Sequence, residues 1–491
     1  MTAQQTAGIF YKTRVRDIMT QATVTCRVDA HVAHMARQMK SMNTGSVVVV
    51  DEDDRPLGIV TERDLVYKVV AAEPDSADAA ARDLTAGDIM STPPVVIEPE
   101  DFIFQAVGLM MRRRCRRLIV VRESGELAGI LSMRDLMRFQ AYDHRIIMDQ
   151  VDKAHNVQEL RGVREEIDDF VHRLFLVDVG GATLAEILTD FNDAISRRII
   201  FVNELKLRAE DEPVPRCGFA WVAFGSEGRH EQVLRGDQDN AIILDDTCDS
   251  DRAREYYREL ARRVNQDMAD YGFELCDGGV MAREDKYFGT LTEWRRRTAN
   301  LVVDSYSGQV LRDLTILLDM RHLAGDEKLT HSLWQHMMSS IQRNPPAMRL
   351  LAEDATSKAV PLNFLGRFRY EKDADGKRGI NVKKFGMLPL IAGVKALAME
   401  HAILPTSTTE RIEALEAAGV LERDSAADLM FAHQLFLRLK LQASVETVFH
   451  GQKSTHFFYP EDWTDLERSN LRRAFKSIDH LLGFLRVHYS L

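Results

Sequence analysis

The sequence predicts an α+β protein of several domains. Residues 10–140 repeat themselves and alternate short apolar runs with helical patterns. The middle of the chain holds two buried strand-like runs flanked by glycine and aspartate, and residues 301–491 carry mostly helical periodicity. A length of 491 residues is enough for about three domains. Several folded units of mixed class therefore follow one another along the chain.

Charge argues against nucleic acid as a partner. The net charge is −11, and a protein that follows a phosphate backbone needs a basic face. Residues 112–117 form a short basic run, but no aromatic residues are interleaved with it, and it is interpreted as the solvated end of a helix. The same charge does not oppose binding of a small anionic nucleotide together with a metal ion.

Cysteine usage and hydropathy predict a soluble cytoplasmic protein. The five cysteines lack paired spacing, so reduced thiols are expected rather than a disulfide framework or a zinc site. Residues 1–10 lack the pattern of a signal peptide. The apolar stretch from Met387 to Met399 is interrupted by Lys395 and is too short to cross a bilayer, so no membrane partner is expected.

An internal repeat organises the N-terminal part of the chain. VRDIM at 15–19 recurs as AGDIM at 86–90, and GIVTERDL at 58–65 recurs as GILSMRDL at 129–136. Asp17 thus corresponds to Asp88 and Asp64 to Asp135, so both pairs of motifs share one offset along the chain. Each unit is predicted to contain a helix, 32–42 or 103–113, followed by a buried strand, a turn, a second strand and another helix.

These two units resemble a tandem pair of CBS domains (a Bateman module), at 10–70 and 82–140. The resemblance implies that an adenosine nucleotide, AMP or ATP, binds between the repeats, with Thr61, Asp64, Ser132 and Asp135 facing it. Hydroxyls at helix starts suit phosphate, and aspartates can hold ribose hydroxyls. A plainer interpretation is that Thr61 and Ser132 are helix caps, each with an aspartate three residues later. The two interpretations are compatible.

Residues 141–215 are predicted to be a helical connector. Apolar residues recur at helical spacing from Ile146 to Leu174 and again from Leu184 to Leu205. Gly180-Gly181 separates the two runs and predicts the turn of a helical hairpin.

A strand followed by Gly-Ser opens the most informative stretch, within the predicted core at 216–300. Phe219 to Phe224 is an apolar run typical of a buried strand, and it stops at Gly225-Ser226. A glycine leaves the backbone bare, as a turn that brings N–H groups close to a phosphate requires. Alone, such a pair is more often a simple turn.

Two aspartates precede the second apolar run, Ala241 to Leu244. Asp237 and Asp239 are two residues apart, which on a strand places both carboxylates on one face, where they can share a metal site. Alone, this pattern is more often a solvated strand end. Gly-Ser and Asp-x-Asp in this order, next to two strand-like runs, form a much more specific signal.

The string GSEGRHEQ…DQDNAIIL (225–244) resembles the nucleotidyltransferases of the DNA polymerase β superfamily, in particular those related to the N-terminal domain of PII-protein uridylyltransferases. The resemblance implies Mg²⁺ or Mn²⁺ at Asp237 and Asp239 and nucleotide binding by Gly225, Ser226 and Arg229. Glu231 and Gln232 are expected to support the site. A third carboxylate normally completes such sites; Asp277 is the candidate by position, with Glu274 second.

Residues 301–491 resemble the helical substrate-binding-type domain that follows this kind of nucleotidyltransferase. The resemblance implies that Asp319, Arg321 and Arg438 face the catalytic cleft, and the alternative is ordinary ion pairing. An all-α domain is expected, with a charged loop at 371–379 as a possible hairpin tip. No His-Asp dipeptide occurs, so the phosphohydrolase domain of full-length PII uridylyltransferases is not expected.

The resemblances together imply an enzyme that moves a nucleoside monophosphate from an NTP to a hydroxyl of a PII-like protein or a small molecule. The CBS pair would sense adenylate levels, and a homodimer is the expected assembly. The alternative is a non-catalytic regulator that only binds nucleotides.

Overall fold

A computed structural model of the chain describes residues 13–21, 23–42, 44–70, 84–113, 115–176, 179–210, 214–234, 236–304, 308–373, 375–450 and 456–491. The chain forms two compact units, residues 1–147 and 148–491. The predicted four-part division of the chain is finer than these two units and stays a prediction.

The first unit contains two copies of one strand-and-helix arrangement. Its elements are α1 Val15–Ile18, β1 Thr25–Cys26, α2 Val32–Ser41, β2 Ser46–Val50, β3 Pro56–Thr61, α3 Glu62–Leu65, α4 Ala86–Ile89, β4 Val96–Ile97, α5 Ile103–Arg113, β5 Arg117–Val121, β6 Leu127–Ser132 and the start of α6 Met133–Lys153. In each sheet the short first strand is parallel to the second, and the second is antiparallel to the third. The predicted repeat and its two helices are confirmed.

The constant offset between the repeats holds down to individual strand partners. Val48 pairs with Ile59, and Ile119 pairs with Ile130 at the equivalent position of the second sheet. Both sheets also shift register at the same place, after Val49 and after Val120. The repeat in the sequence is therefore a repeat of backbone geometry.

The first segment of each repeat forms backbone bridges with the other repeat. Thr20 forms an isolated bridge with Ile130, and Ser91, its equivalent, bridges Ile59. Arg14 bridges Phe102, and Thr85, its equivalent, bridges His31. The two repeats are thus joined by four backbone bridges that form two equivalent pairs.

The second unit begins with three helices, because the first arm of the predicted hairpin is divided into two. They are α6, which ends at Lys153, α7 Val157–Leu176 and α8 Gly181–Ala209. The apolar periodicity runs on through residues 154–156, but Asn156 interrupts the helix: its Oδ1 accepts a hydrogen bond from the Glu159 amide at 2.9 Å. Glu159 in turn accepts from the His155 amide at 2.7 Å. These reciprocal caps start a new helix that hydrophobic spacing did not predict.

A four-stranded mixed sheet forms the centre of the second unit, and its strands lie in the order 321–325, 219–223, 240–244 and 288–290. Its elements are β7 Phe219–Ala223, α9 Gly225–Gly228, β8 Asn240–Leu244, α10 Asp251–Tyr271, β9 Phe288–Thr290, α11 Leu291–Val303, α12 Gly308–Leu317 and β10 Arg321–Gly325. β7 is antiparallel to β8 and β10, and β8 is parallel to β9. β7 and β8 are buried at all their residues, which explains why they have apolar runs rather than alternation.

The expectation of five reduced cysteines is wrong for two of them. Cys217 and Cys248 form a disulfide with their Cα atoms 5.5 Å apart. Phe219 pairs with Leu244 in the antiparallel β7–β8 register, so the residues just before β7 and just after β8 meet at one end of the sheet. A separation of 31 residues concealed this proximity, because only strand pairing brings the two cysteines together. Cys26, Cys115 and Cys276 are not in disulfides.

The C-terminal part is mostly helical, as predicted, and also holds a small sheet. Its elements are α13 Glu327–Gln342, α14 Pro345–Thr356, β11 Glu371–Lys372, β12 Arg378–Asn381, α15 Leu388–Glu400, α16 Thr408–Ala417, α17 Arg423–His450, β13 Phe457–Phe458 and α18 Asp465–His488. β11 and β12 form the hairpin whose tip was predicted at 371–379, and β13 pairs with β12. Within the described part of the chain, every helix is too short or too polar to traverse a lipid bilayer.

Candidate active site

The end of β7 and the start of β8 bring Gly-Ser against Asp-x-Asp. The Phe224 amide donates to the Asp239 carbonyl at 2.8 Å, which places Gly225 directly beside Asp239. Gly225 has φ +55°, and a Cβ atom at this residue would overlap the Asp239 carboxylate. Ser226 follows, half-buried, in the single turn α9. The glycine is therefore required by both conformation and space.

Gly225→Ala is expected to displace the Asp239 carboxylate and to weaken divalent-ion binding at least about tenfold. The positive φ adds a destabilisation of about 1 kcal/mol. Mn²⁺ binding followed by electron paramagnetic resonance measures the first effect. Gly236→Ala is the matched control in the same loop, because its Cβ would meet only ordinary contacts, at 3.7 Å or more. Equal Mn²⁺ affinity in both variants would contradict the expectation.

Residues 237–240 alternate between the site and a buried amide network. Gln238 and Asn240 point inward, where Asn265 Nδ2 donates to both of their side-chain oxygens at 2.9 Å. The Asn240 side-chain oxygen also accepts from the Ala282 amide at 2.9 Å. Because side chains alternate along an extended chain, fixing 238 and 240 inside aims Asp237 and Asp239 at the opposite face. The amides of this motif thus position its carboxylates.

A neighbouring segment completes the cluster with a thiol. Asp237 forms a parallel bridge with Glu274, and the Asn240 amide donates to the Val280 carbonyl at 3.0 Å. Residues 274–280 therefore lie alongside 237–240. One ligand atom each from Asp237, Asp239 and Cys276 lies within 4.8 Å of the other two, which fits one divalent ion. Within the described ranges, this is the only such group of three.

The predicted third carboxylates are not in this cluster. Asp277 is exposed in the turn after Cys276, and Glu274 is also exposed. The side chain that lies close to both Asp237 and Asp239 is that of the preceding residue, Cys276. The sequence offered one indication of Cys276, namely that it directly precedes Asp277, the predicted third carboxylate.

The cluster concentrates negative charge. Burial and the neighbouring Asp237 carboxylate raise the pKa of Asp239 to about 6. Burial chiefly raises the pKa of the Cys276 thiol, and the Asp239 charge contributes. A cation in the cluster would relieve both effects, because it favours the ionised forms.

Glu227, in the turn between the two strands, is a further acid that the sequence reasoning missed. Burial and the Asp193 carboxylate raise its pKa to about 8, and Asp239 and Asp237 add to the shift. Glu227 is therefore mostly protonated at neutral pH in the folded protein.

Replacing Glu227 should change how stability depends on pH. Its folded-state pKa of about 8 lies above the ordinary 4.5, so the folded protein holds an extra proton between these values. The free energy of unfolding therefore falls as pH rises through this window, by up to about 1.4 kcal/mol per pH unit for this group. Urea unfolding at pH 5.5 and pH 8 is expected to show a smaller loss for Glu227→Gln than for wild type. The exposed Glu416→Gln is the control, and equal losses in all three proteins would contradict this assignment.

Cations from the C-terminal part face the acidic cluster. Lys440 of α17 is partly buried; burial, Arg229 and Lys383 lower its pKa to about 8, whereas Asp237 opposes the shift. Lys383 is exposed and its charge acts on Asp239. Burial, Lys383 and Lys440 lower the pKa of His456 to about 4. The acidic cluster is therefore bordered by basic side chains from a different part of the second unit.

Arg229, predicted to bind the nucleotide, and Asp319, predicted to face the cleft, are members of one ionic network. Arg229 contacts Glu231 at 2.8 Å and Asp319 at 2.6 Å. Asp319 also contacts Lys395 at 2.7 Å and Arg411 at 3.0 Å. Their charges are thus matched within the protein, which agrees with the ion-pairing alternative.

The remaining predicted residues lie around this network. Arg321 makes two hydrogen bonds to Asp193, at 2.6 and 2.8 Å. Gln232 is buried and accepts from Asn192 at 2.8 Å. Arg438 donates to the Val179 carbonyl at 3.3 Å, so it contacts the segment before α8 rather than the acidic cluster. Lys440 points in nearly the opposite direction, because it lies two residues further along the helix. Its ammonium donates to the Glu231 carbonyl at 3.4 Å, and the Asp237 charge acts on it.

In the first unit, the predicted nucleotide contacts form two equivalent capping boxes. Thr61 Oγ1 donates to Asp64 at 2.6 Å, and the Asp64 amide donates back to Oγ1 at 3.3 Å. Ser132 and Asp135 make the same pair of bonds, at 2.6 and 3.3 Å. The plainer interpretation of these residues as helix caps is therefore observed in both repeats.

Comparisons with protein families agree with this architecture. Residues 165–307 match the family "Putative nucleotidyltransferase DUF294", and residues 345–489 match "Putative nucleotidyltransferase substrate binding domain". Residues 15–71 and 86–142 each match the CBS domain. The chain thus combines a pair of CBS domains with a DUF294 domain and the C-terminal domain DUF294_C.

Three individual relatives each match about a quarter of the chain. An uncharacterized protein of Methanopyrus kandleri is 38% identical over 127 residues, which are 26% of this chain and 60% of that protein. The uncharacterized protein YlbB of Bacillus subtilis is 34% identical over 25% of this chain and 80% of its own length. A CBS domain protein from Pyrobaculum aerophilum, solved with AMP, is 28% identical over 25% of this chain and 90% of its own, with a TM-score of 0.23.

Proposed function

We propose that the second unit is a divalent-metal-dependent nucleotidyltransferase that moves a nucleoside monophosphate from an NTP to a hydroxyl group. The observation that supports this most is the Asp237–Asp239 pair, held on one face beside Gly225 and bordered by Lys440 and Lys383. Carboxylates hold Mg²⁺ or Mn²⁺, and cations attract a triphosphate. The acceptor is a PII-like protein, as in the uridylyltransferases that the sequence resembles, or a small molecule.

The residues of the site divide this task between them. Asp237 and Asp239 would hold the ion, and an ion bound there compensates charge on the leaving pyrophosphate. Lys440 and Lys383 would hold the triphosphate oxygens against the cluster. The acceptor oxygen bonds to the α-phosphorus as the bond from that atom to the β-phosphate bridging oxygen breaks. Pyrophosphate leaves, and the hydroxyl proton is released to water, because the third member of the cluster is a thiol and not a carboxylate.

Incubation with each of the four α-³²P-labelled NTPs, Mg²⁺ or Mn²⁺ and a bacterial lysate tests this proposal. Label transferred to an acceptor by wild type, and not by a variant lacking Asp237 and Asp239, would support the proposal. The NTP that gives the label would identify the nucleobase of the substrate. No transfer from any NTP, with either metal, would overturn it.

A non-catalytic regulator is the second candidate. It is favoured by one observation: the third side chain of the cluster is a thiol and not the carboxylate that would act as a base. In that case NTPs would bind at the same site without being consumed, and the C-terminal part would contact a partner protein. Equilibrium binding of NTP with no release of pyrophosphate would distinguish this candidate from the enzyme.

For the first unit we propose that an adenosine nucleotide, AMP or ATP, binds the CBS pair and regulates transfer in a cytoplasmic homodimer. Its support is the family resemblance together with the identical placement of Thr61–Asp64 and Ser132–Asp135 in the two repeats. One carboxylate oxygen of each aspartate accepts the hydrogen bond from the hydroxyl of Thr61 or Ser132. The other contacts Lys68 at 3.1 Å in the first repeat and the Thr20 hydroxyl at 3.3 Å in the second, which are contacts that a ribose can replace.

The double variant Asp64→Ala/Asp135→Ala is expected to lower AMP affinity at least about tenfold, because both ribose-binding carboxylates are removed. Isothermal titration calorimetry measures this. Asp88→Ala is the control: Asp88 also closes a capping box, with Thr85 at 2.7 Å, so it matches the loss of a cap without the proposed ligand contact. An equal effect of the control would mean that the caps alone are responsible.

A further inference from the structure

The thiol of Cys276 is held in the metal-facing cluster by main-chain contacts. Besides the bridge between Asp237 and Glu274, the Gln238 amide donates to the Glu274 carbonyl at 2.9 Å. The Gly279 amide then donates to the Cys276 carbonyl at 2.9 Å, which closes a turn around Asp277 and Gly278. Gly279 has φ +66° in this turn. The backbone on both sides of Cys276 is therefore fixed, and its sulfur faces the two aspartates.

The three donors differ in chemical hardness. Asp237 and Asp239 each offer carboxylate oxygens, which suit Mg²⁺ and Mn²⁺. A thiolate is a soft ligand and prefers ions such as Zn²⁺, Co²⁺ or Cd²⁺. The ligand atoms lie within 4.8 Å of one another. Bonds of about 2.0 Å to oxygen and about 2.3 Å to sulfur hold the two kinds of ligand atom at most about 4.3 Å apart, so small rotations of the three side chains would close the group around one ion.

Gly225 and the exposed position of Asp237 also favour ion binding at the cluster. A Cβ atom at Gly225 would overlap the Asp239 carboxylate, so the glycine allows that carboxylate to keep its place in the cluster. Asp237 is exposed, which leaves the cluster open for an ion to enter. Two carboxylates and a thiol thus converge from two chain segments onto one accessible point.

We infer that Cys276 is the third ligand of this metal site and that the site binds thiophilic divalent ions through its sulfur. The inference rests on the proposed function for the location of the metal, and it adds the identity of the third ligand and the class of ion preferred. Cys276 takes the place that a carboxylate holds in the related enzymes. An aspartate at this position would convert the site to the all-oxygen type.

Cobalt titration of the full-length protein tests the inference independently of activity. Wild type is expected to develop a near-ultraviolet thiolate-to-Co²⁺ charge-transfer band. Cys276→Ser is expected to lose the band and at least about tenfold in Co²⁺ affinity, while Mn²⁺ affinity changes less than about threefold. Cys276→Asp is expected to lose the band and to bind Mn²⁺ more tightly than wild type. The double variant Cys26→Ser/Cys115→Ser removes the other two free thiols and should keep the band.

Absence of the band in wild type, or its persistence in Cys276→Ser, would overturn the inference. The proposed function can fail separately: a band that depends on Cys276, without transfer from any labelled NTP, keeps the metal site and removes the enzyme. Transfer that Cys276→Ser leaves unchanged, with no band in wild type, keeps the enzyme and removes the thiol ligand.

Discussion

Changing Asp237 and Asp239 together to asparagine is expected to lower nucleotidyl transfer by at least about a thousandfold. Both carboxylates lie on one face of the chain and share the cluster with Cys276. Metal charge at such a site stabilises the transition state by several kcal/mol, and about 4 kcal/mol corresponds to a thousandfold in rate. Asparagine keeps the shape of aspartate but not the charge that holds the ion. The rate of label transfer from the preferred α-³²P NTP measures the loss.

This variant is expected to fold normally. Burial and the Asp237 charge already raise the pKa of Asp239 to about 6, so removing both charges relieves repulsion in the absence of metal. Its unfolding midpoint without metal should equal or exceed that of wild type. Asp249→Asn, at an exposed residue beyond the other end of β8, is the matched control and should keep full activity. Transfer at the wild-type rate by the double variant would place the chemistry elsewhere.

Removing the carboxylate of Asp319 is expected to destabilise the second unit by about 3–5 kcal/mol, the largest stability effect predicted for a single change. Asp319 is 1% exposed and contacts Arg229, Lys395 and Arg411. Although burial opposes its ionisation, these three cations lower its pKa. Asp319→Ala would leave the buried Lys395 and Arg411 without their ion-pair partner, and Arg229 with Glu231 alone, which costs much more than the pairs themselves contribute.

Tryptophan fluorescence during urea unfolding measures this effect in the relevant unit. All four tryptophans, at 221, 294, 334 and 463, lie in the second unit, so the signal is not mixed with that of the first. Asp428→Ala is the control, because Asp428 and its partner Arg473 are 41% and 56% exposed and such a pair contributes at most about 1 kcal/mol. If Asp319→Ala unfolded at the same urea concentration as this control, the network would not be a stabilising element.

Local sequence patterns were sufficient to predict the repeat, the strands β7 and β8, and the position of Asp237 and Asp239 next to β8. Repeated motifs at a constant offset and continuous apolar runs are local features. Both can be recognised in one sequence without knowledge of distant contacts. The break at Asn156 was missed for a different reason. Apolar spacing continued through it, and only the reciprocal bonds with Glu159 end one helix and start the next.

Contacts between distant residues account for the other differences. The Cys217–Cys248 disulfide depends on the register of β7 and β8. The choice between Cys276 and Asp277 depends on which side chain a turn directs toward the aspartates. Lys440 and Arg438 lie on the same helix, and only the packing of α17 decides which one faces the acidic cluster. None of these could be derived from residue type and spacing alone.

The exchanged bridges of the first unit give it an internal symmetry. Thr20–Ile130 and Ser91–Ile59 are one contact made twice, with the roles of the repeats reversed. A contact in which each partner presents the same surface to the other is isologous, the kind that joins two identical chains about a two-fold axis. A chain with only one repeat would leave its first segment unpaired, and two copies could satisfy each other by the same bridges. The CBS pair therefore has, within one chain, the contact symmetry of a homodimer.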